Sequence, residues 1–237
     1  MSNAKDAVRK VLDQVKADKR TSLTAPEGKL VCDAYGIPVP KEGLAKSAAD
    51  AVKIASGMGF PVVMKIVSPD ILHKTEAGGV RLGVSTAEEA RKAAEEVLES
   101  SRRYVPQARI EGVSVQQMVP AGIEIVLGVK NDRQFGPLIA VGLGGIMVEL
   151  LADTAIRLAP IDEYNARSML ASLKGYALLT GFRGRPGVDM DGLLDTICRL
   201  SELADDLKDV IDQIDINPVI ALESGAVAVD ALIVCRS

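Results

Sequence analysis

A single histidine occurs in 237 residues, in the run Ile71-Leu72-His73-Lys74-Thr75-Glu76-Ala77-Gly78-Gly79-Val80. It follows an apolar stretch, residues 60–67, that carries Lys65. An imidazole, with an unperturbed pKa of about 6.5, is both nucleophilic and protonatable near neutrality, so it can take up a group and later release it. Gly78 and Gly79 beside it would let backbone N–H groups close on phosphate oxygens. Lys65 strengthens the theme, because a buried ammonium without an anion costs on the order of several kcal/mol and a phosphate would supply one. Each feature also has a plain explanation: a histidine in a turn, a turn-forming glycine pair, and a lysine that snorkels from a frayed strand end.

A second constellation lies near the C-terminus. In Ile214-Asp215-Ile216-Asn217-Pro218 the two polar residues are two apart, which in a strand aims both at one face. Asp230, in Val229-Asp230-Ala231, falls on the return strand of a hairpin turned at Glu223-Ser224-Gly225 and can join them. Carboxylate and amide oxygens of this kind suit Mg²⁺ held jointly with nucleotide phosphates. The glycine-bearing run from Phe135 to Gly145 is not a dinucleotide fingerprint, since the third glycine position is Met147 and residues 146–151 are β-like where a capped helix is needed. Such a loop can still pack closely on a phosphate or a backbone.

Composition narrows the classes. Hydrophobic content of 48% and charge of 25% describe a folded chain long enough for one large or two modest domains, with a core of Val, Ile, Leu, Ala and Met because aromatics are only 3%. The net charge of −4 is spread along the chain without a basic block, so nucleic acid is not the expected partner. Cys32, Cys198 and Cys235 form no C-x-x-C pair and read as free thiols of a reducing compartment, with no zinc site. The longest uncharged run, residues 134–148, holds four glycines and a proline, too broken for a membrane span. The start leads into Lys5, Asp6 and Arg9 without an apolar signal core, and a cytoplasmic location is expected.

The elements needed to position these residues alternate between helix and strand. Val8, Leu12 and Val15 have helical spacing in an N-terminal arm, and Thr24-Ala25-Pro26-Glu27 caps a helix that stops at Gly36. Ser47 caps a helix over 48–58. Strands follow over 60–67 and 80–84, then a charged helix to about Tyr104 with Ser85 and Glu88 at capping-box spacing. Strands are expected over 113–119, 123–129 and 137–141, helices over 162–173 and 191–207, and a closing hairpin over 210–222 and 226–234. The expected organisation is α+β: an arm over 1–21, a lobe over 22–118 and a second lobe over 119–237.

Taken together, Val62-Val63-Met64-Lys65, His73 through Val80, Gln116-Gln117-Met118-Val119, Gly122-Ile123-Glu124, Asn131 through Gly145 and Asp215-Ile216-Asn217-Pro218 resemble the ATP-grasp β subunit of nucleoside-diphosphate-forming acyl-CoA synthetases, the family of ADP-forming acetate–CoA ligase. The resemblance runs from about Leu23 to the C-terminus. It implies an ATP-grasp fold of two α/β lobes with the nucleotide between them, and a reaction that interconverts acyl-CoA, ADP and phosphate with acid, CoA and ATP through a phosphohistidine. It implies that His73 carries the phosphoryl group, Lys65 holds phosphates, the backbone of Gln117, Met118 and Val119 meets adenine, and Glu124 accepts ribose hydroxyls. Asn217 and Asp230 would hold Mg²⁺, Asp215 would sit beside the imidazole or metal, and Arg157 would neutralise the transferred group. It also implies a separate CoA-binding α subunit, in an α2β2 heterotetramer. Two rivals remain at this level: a stand-alone ATP-grasp ligase that activates a carboxylate as an acyl phosphate, and a non-catalytic nucleotide-sensing module.

Overall fold

The computed structural model describes residues 2–145 and 153–236; the β-like run expected over 146–151 lies outside them. The chain divides into a smaller unit, Pro40–Val119, and a larger one formed by Met1–Val39 with Pro120–Ser237. The second boundary falls within a residue of the expected one. The first does not: residues 22–39 belong with the larger unit, because Leu23, Val31 and Cys32 are buried in its core and the Leu23 N–H donates to the Ile233 carbonyl at 2.9 Å. All three cysteines are free, and burial pushes the Cys32 thiol up to about 12.

Helix α1 (Ser2–Ala17) buries Val8, Leu12 and Val15, and α2 (Ala25–Ala34) starts after Thr24 with Pro26 in its first turn. Glu27 closes this entry. Its carboxylate accepts both terminal nitrogens of Arg20 at 2.8 Å and also the Thr24 N–H at 2.7 Å. Burial pushes the carboxyl up, but the Arg20 and Thr24 hydrogen bonds outweigh it and hold it below the usual carboxylate range. A depressed folded-state pKa gives stability that is present above the unfolded carboxylate range and lost as pH falls through the folded value. Glu27→Gln is therefore expected to cost about 1–3 kcal/mol near pH 7. Urea unfolding at a series of pH values should show the gap closing as wild type is acidified below the carboxylate range.

The smaller unit is a four-stranded antiparallel sheet of β1 (Glu42–Ala45), β2 (Val62–Val67), β3 (Val80–Val84) and β4 (Gly112–Gln117), ordered β1-β4-β2-β3. Helices α3 (Ala48–Met58) and α4 (Ala87–Tyr104) pack Ala51, Ala55, Ala90, Ala94 and Val97 onto Val62, Met64, Ile66, Val113 and Val115. Small alanines on the helices let both lie close to a sheet face of branched residues. Ser47 accepts the Asp50 N–H at 3.1 Å, as expected of a cap. On α4 the cap is Thr86, one residue past the expected Ser85: its hydroxyl accepts the Glu89 N–H, and Glu89 reaches back to the Ser85 N–H at 2.7 Å.

The larger unit carries β5 (Ile123–Asp132), β6 (Gly136–Leu143), β7 (Thr154–Leu158), β8 (Ile211–Ala221), β9 (Ala226–Ala228) and β10 (Ala231–Cys235), ordered β10-β8-β5-β6-β7 with β9 paired to the far end of β8. All pairings are antiparallel. Helices α5 (Glu163–Ala171), α6 (Tyr176–Thr180) and α7 (Met190–Asp206) share a core with one face of this sheet, including Ile125, Leu127, Ile139, Val141, Ile214 and Ile216. Among the described residues of this unit, no helix shares a core with the opposite face, which is open within the unit. No helix among the described residues is long and apolar enough to cross a membrane.

Candidate functional site

In the smaller unit, His73 stands on the segment joining β2 to β3. Ile71 and Ala77 are each only 3% exposed and sit in the core, while Leu72, His73, Thr75 and Glu76 between them are exposed. Among the described residues nothing hydrogen-bonds the imidazole. The turn closes on itself: Ala77 N–H donates to His73 O at 3.3 Å, Gly78 N–H to Thr75 O at 3.0 Å and Gly79 N–H to Lys74 O at 2.8 Å.

These bonds correct the expectation for Gly78 and Gly79. Their N–H groups are spent inside the turn and do not form a phosphate cradle. The glycines are needed for shape. Gly78 has φ +61, and a Cβ on Gly79 would lie 2.6 Å from the Ile66 side chain. Together they return the chain to the sheet, where Ile66 N–H donates to Gly79 O at 2.8 Å.

Lys65 is not at a frayed end. It lies inside β2, only 6% exposed, opposite Val80 on one side and Ser114 on the other. Alternation sends Val62, Met64 and Ile66 into the helix-covered core and Lys65 to the other face, which it shares with Ser114, Gln116 and Glu42. Ser114 donates its hydroxyl to Glu42 at 2.8 Å. This polar row was missed from sequence, although Gly112-Val113-Ser114-Val115-Gln116 carries the signal of polar residues at every second position. At the end of β4, Gln117 donates its N–H to Lys41 O at 2.8 Å, so that group is occupied, while Met118 and Val119 lie beyond the strand.

The larger unit gathers the acidic residues on its open sheet face. Asp215 pairs with Gly128 on β5 and Leu232 on β10, and faces away from the core that holds Ile214 and Ile216. Between Ile125↔Val219 and Leu127↔Ile216 the register slips, leaving Asn217 and Pro218 opposite the single residue Val126. Proline lacks the N–H a ladder needs, and Asn217 at the resulting bulge is exposed. Asp230 follows β9 and precedes Ala231, whose partner is Ile216; the return strand expected as continuous breaks here. Burial, and after it the Asp230 charge, pushes the Asp215 carboxyl up. A divalent cation would relieve that repulsion, and two carboxylates with an amide are hard oxygen donors suited to one.

Glu124 lies on the same open face, opposite Ile220. The Gly144-Gly145 run packs directly on it. Gly144 N–H donates to Glu124 O at 2.6 Å, and a Cβ on Gly145 would stand 3.0 Å from Glu124 Oε2. The glycine-bearing loop thus supports a side chain of its own chain. Arg157 is not brought to this face: on edge strand β7 it pairs with Ile139 of the core side, and its guanidinium donates to Ile156 O at 3.0 Å. Strand alternation places Ile156, not Arg157, on the side of Asp215.

A larger unit with Asp215 and Asp230 close together and a smaller unit with a buried lysine fit a known class: the chain matches the ATP-grasp domain over residues 14–235 and belongs to that family. Within it, the chain is 44% identical over 229 residues to the β subunit of ADP-forming acetate–CoA ligase II from Pyrococcus furiosus, covering 96% of this chain and 97% of the relative. Two structures of Ca. Korarchaeum cryptofilum dinucleotide forming acetyl-coenzyme A synthetase 1 are also similar. One, with coenzyme A, acetyl-coenzyme A and a phosphorylated phosphohistidine segment in the site I orientation, matches at 43% identity and a TM-score of 0.88, over 97% of this chain and 100% of that one. The other, with coenzyme A and Mg-AMPPCP and the phosphohistidine segment pointing towards the nucleotide binding site, matches at 39% identity and a TM-score of 0.84, with the same coverage.

Proposed function

We propose that the chain is the nucleotide-binding β subunit of an ADP-forming acyl-CoA synthetase, interconverting acyl-CoA, ADP and phosphate with acid, CoA and ATP through phosphorylated His73. The observation that carries this reading is an exposed imidazole, unbonded among the described residues, on a segment pinned at both ends, in a chain similar over 96% of its length to a ligase β subunit. In the direction of ATP use, an imidazole nitrogen attacks the γ-phosphorus, a P–N bond forms, and the P–O bond to ADP breaks. In the other direction ADP takes the group from His73. Such transfers are served mainly by positioning and by cations.

Lys65 supplies a fixed positive charge to the phosphates, the 117–119 backbone meets the adenine edge, and Glu124 accepts ribose hydroxyls. Asn217 and Asp230 would hold Mg²⁺, whose charge offsets that of the phosphates, and Asp215 stands beside them to receive the imidazole or the ion. Arg157 lies on the other sheet face and has no part in this scheme. CoA chemistry belongs to a separate α subunit, in an α2β2 assembly in a cytoplasmic setting. The relatives' naming as subunits favours this over a stand-alone ligase.

Purified with its α subunit, the chain is expected to form ADP from ATP beyond the single equivalent that loads His73 only when both CoA and a carboxylic acid are present. Turnover by the chain alone, with an amine as acceptor, would replace this reading by the stand-alone ligase. A local test follows from Gly145. Gly145→Ala, strained at φ +62 and crowding the Glu124 carboxylate, is expected to raise the KM for ATP about tenfold with kcat near wild type, the pattern of lost ground-state binding.

A further inference from the structure

The larger unit holds a cleft of about 740 Å³ that the scheme above leaves unused. One wall is a tight two-residue turn. Phe182 and Arg185 exchange N–H···O bonds of 3.2 and 3.1 Å around Arg183 at φ +50 and Gly184 at φ +81. Positive φ at both central positions usually selects Asn or Asp followed by Gly, so an arginine held there is a strained choice. The turn is clamped to α6 by the Val188 N–H, which donates to Leu179 O at 2.9 Å. The Arg183 guanidinium lies 5.3 Å from the Phe182 ring centre. Among the described residues neither Arg183 nor Arg185 has a carboxylate partner.

The remaining lining has two other chemistries. Ile123 and Leu222 give the lining an apolar part, and Glu223 adds a carboxylate to the same cleft. Because Ile123 alternates with Glu124 along β5, this apolar part belongs to the helix-covered side of the sheet, not to the open face that carries Glu124 and Asp215. Arginine forks suit phosphate, a carboxylate accepts hydroxyl or amino hydrogens, and the apolar part with Phe182 takes a flat apolar body. Inorganic phosphate or a simple acid would use only part of this set.

We infer that the cleft binds an adenosine-phosphate moiety, with Arg183 and Arg185 on the phosphate, Glu223 on hydroxyl or amino groups, and the base on the apolar lining with Phe182. Two molecules carry that moiety: free ADP at a second site, and the 3′-phosphoadenosine end of coenzyme A. The second source rests on the proposed function.

The test is a titration of the ¹⁵N-labelled full chain with ADP, coenzyme A, dephospho-coenzyme A and inorganic phosphate, following amide signals of residues 181–188 and 223. Saturable shifts there are expected, weakened about tenfold or more in Arg183→Ala/Arg185→Ala. ATP-dependent labelling of His73 in that variant should stay unchanged. Preference for coenzyme A over its dephospho form and ADP identifies the cofactor end; equal response to ADP identifies a second nucleotide site. No shift with any probe at millimolar concentration, or phosphate alone acting as strongly as the adenosine compounds, overturns the assignment. Labelling of His73 is read separately, so its failure would sink the functional reading and leave the cleft result standing.

Discussion

His73→Ala is expected to abolish the acid-labile, base-stable label that γ-labelled ATP leaves on the chain, and to lower CoA-dependent turnover at least about 10³-fold. No other histidine is present to take over the phosphoryl group. The fold should not suffer, because the imidazole is exposed and holds no hydrogen bond among the described residues; a change in stability of no more than about 0.5 kcal/mol is the expectation for such a surface site. Labelling with quantitative autoradiography and urea unfolding on the same preparation separate the two effects. Label of undiminished intensity in the variant would place the carrier elsewhere and remove the central claim.

The second large effect is expected at Lys65. Lys65→Met keeps the length and volume of the side chain inside β2 but removes the charge, so nucleotide affinity should fall about 100-fold or more while unfolding stays cooperative. Its place in mid-strand, not at a strand end, makes the test informative: the ammonium cannot be withdrawn into solvent without disturbing the sheet. Equilibrium binding of ATP to the two forms is the measurement. Equal affinity would mean that Lys65 serves the polar row with Ser114 and Glu42 and not a ligand.

Much of this was legible in the chain itself, for identifiable reasons. The helices over 48–58 and 87–104 announce themselves by caps and small-residue periodicity, and β2 and β8 by branched apolar runs. Short edge strands escaped: β1 is the four residues Glu42–Ala45, and β7 presents exposed Ile156, Arg157 and Leu158 with no alternation to read. The affiliation of residues 22–39 was hidden because it depends on contacts with β10, more than 190 residues downstream. Site residues fared according to how local their geometry is. Asp215 and its face follow from period two, whereas Arg157 looked equivalent by motif and was assigned by a register that sequence does not display. Gly78 and Gly79 illustrate the same limit. Their permissive backbone was visible, but whether their N–H groups point at a ligand or at Thr75 and Lys74 depends on how the turn closes.

The two buried anchors of that turn also set a leash. His73 is two residues from Ile71 and four from Ala77, and a chain spans at most about 3.6 Å per residue, so with both anchors seated the histidine backbone can stray only about 7 Å from Ile71. Any longer delivery of the phosphoryl group must pull Ile71 out of the core, at a cost of about 1.5–3 kcal/mol for exposing a side chain of that size. That is small enough to be met by binding energy at the receiving site and large enough to keep the loaded histidine at home until a receiver is present.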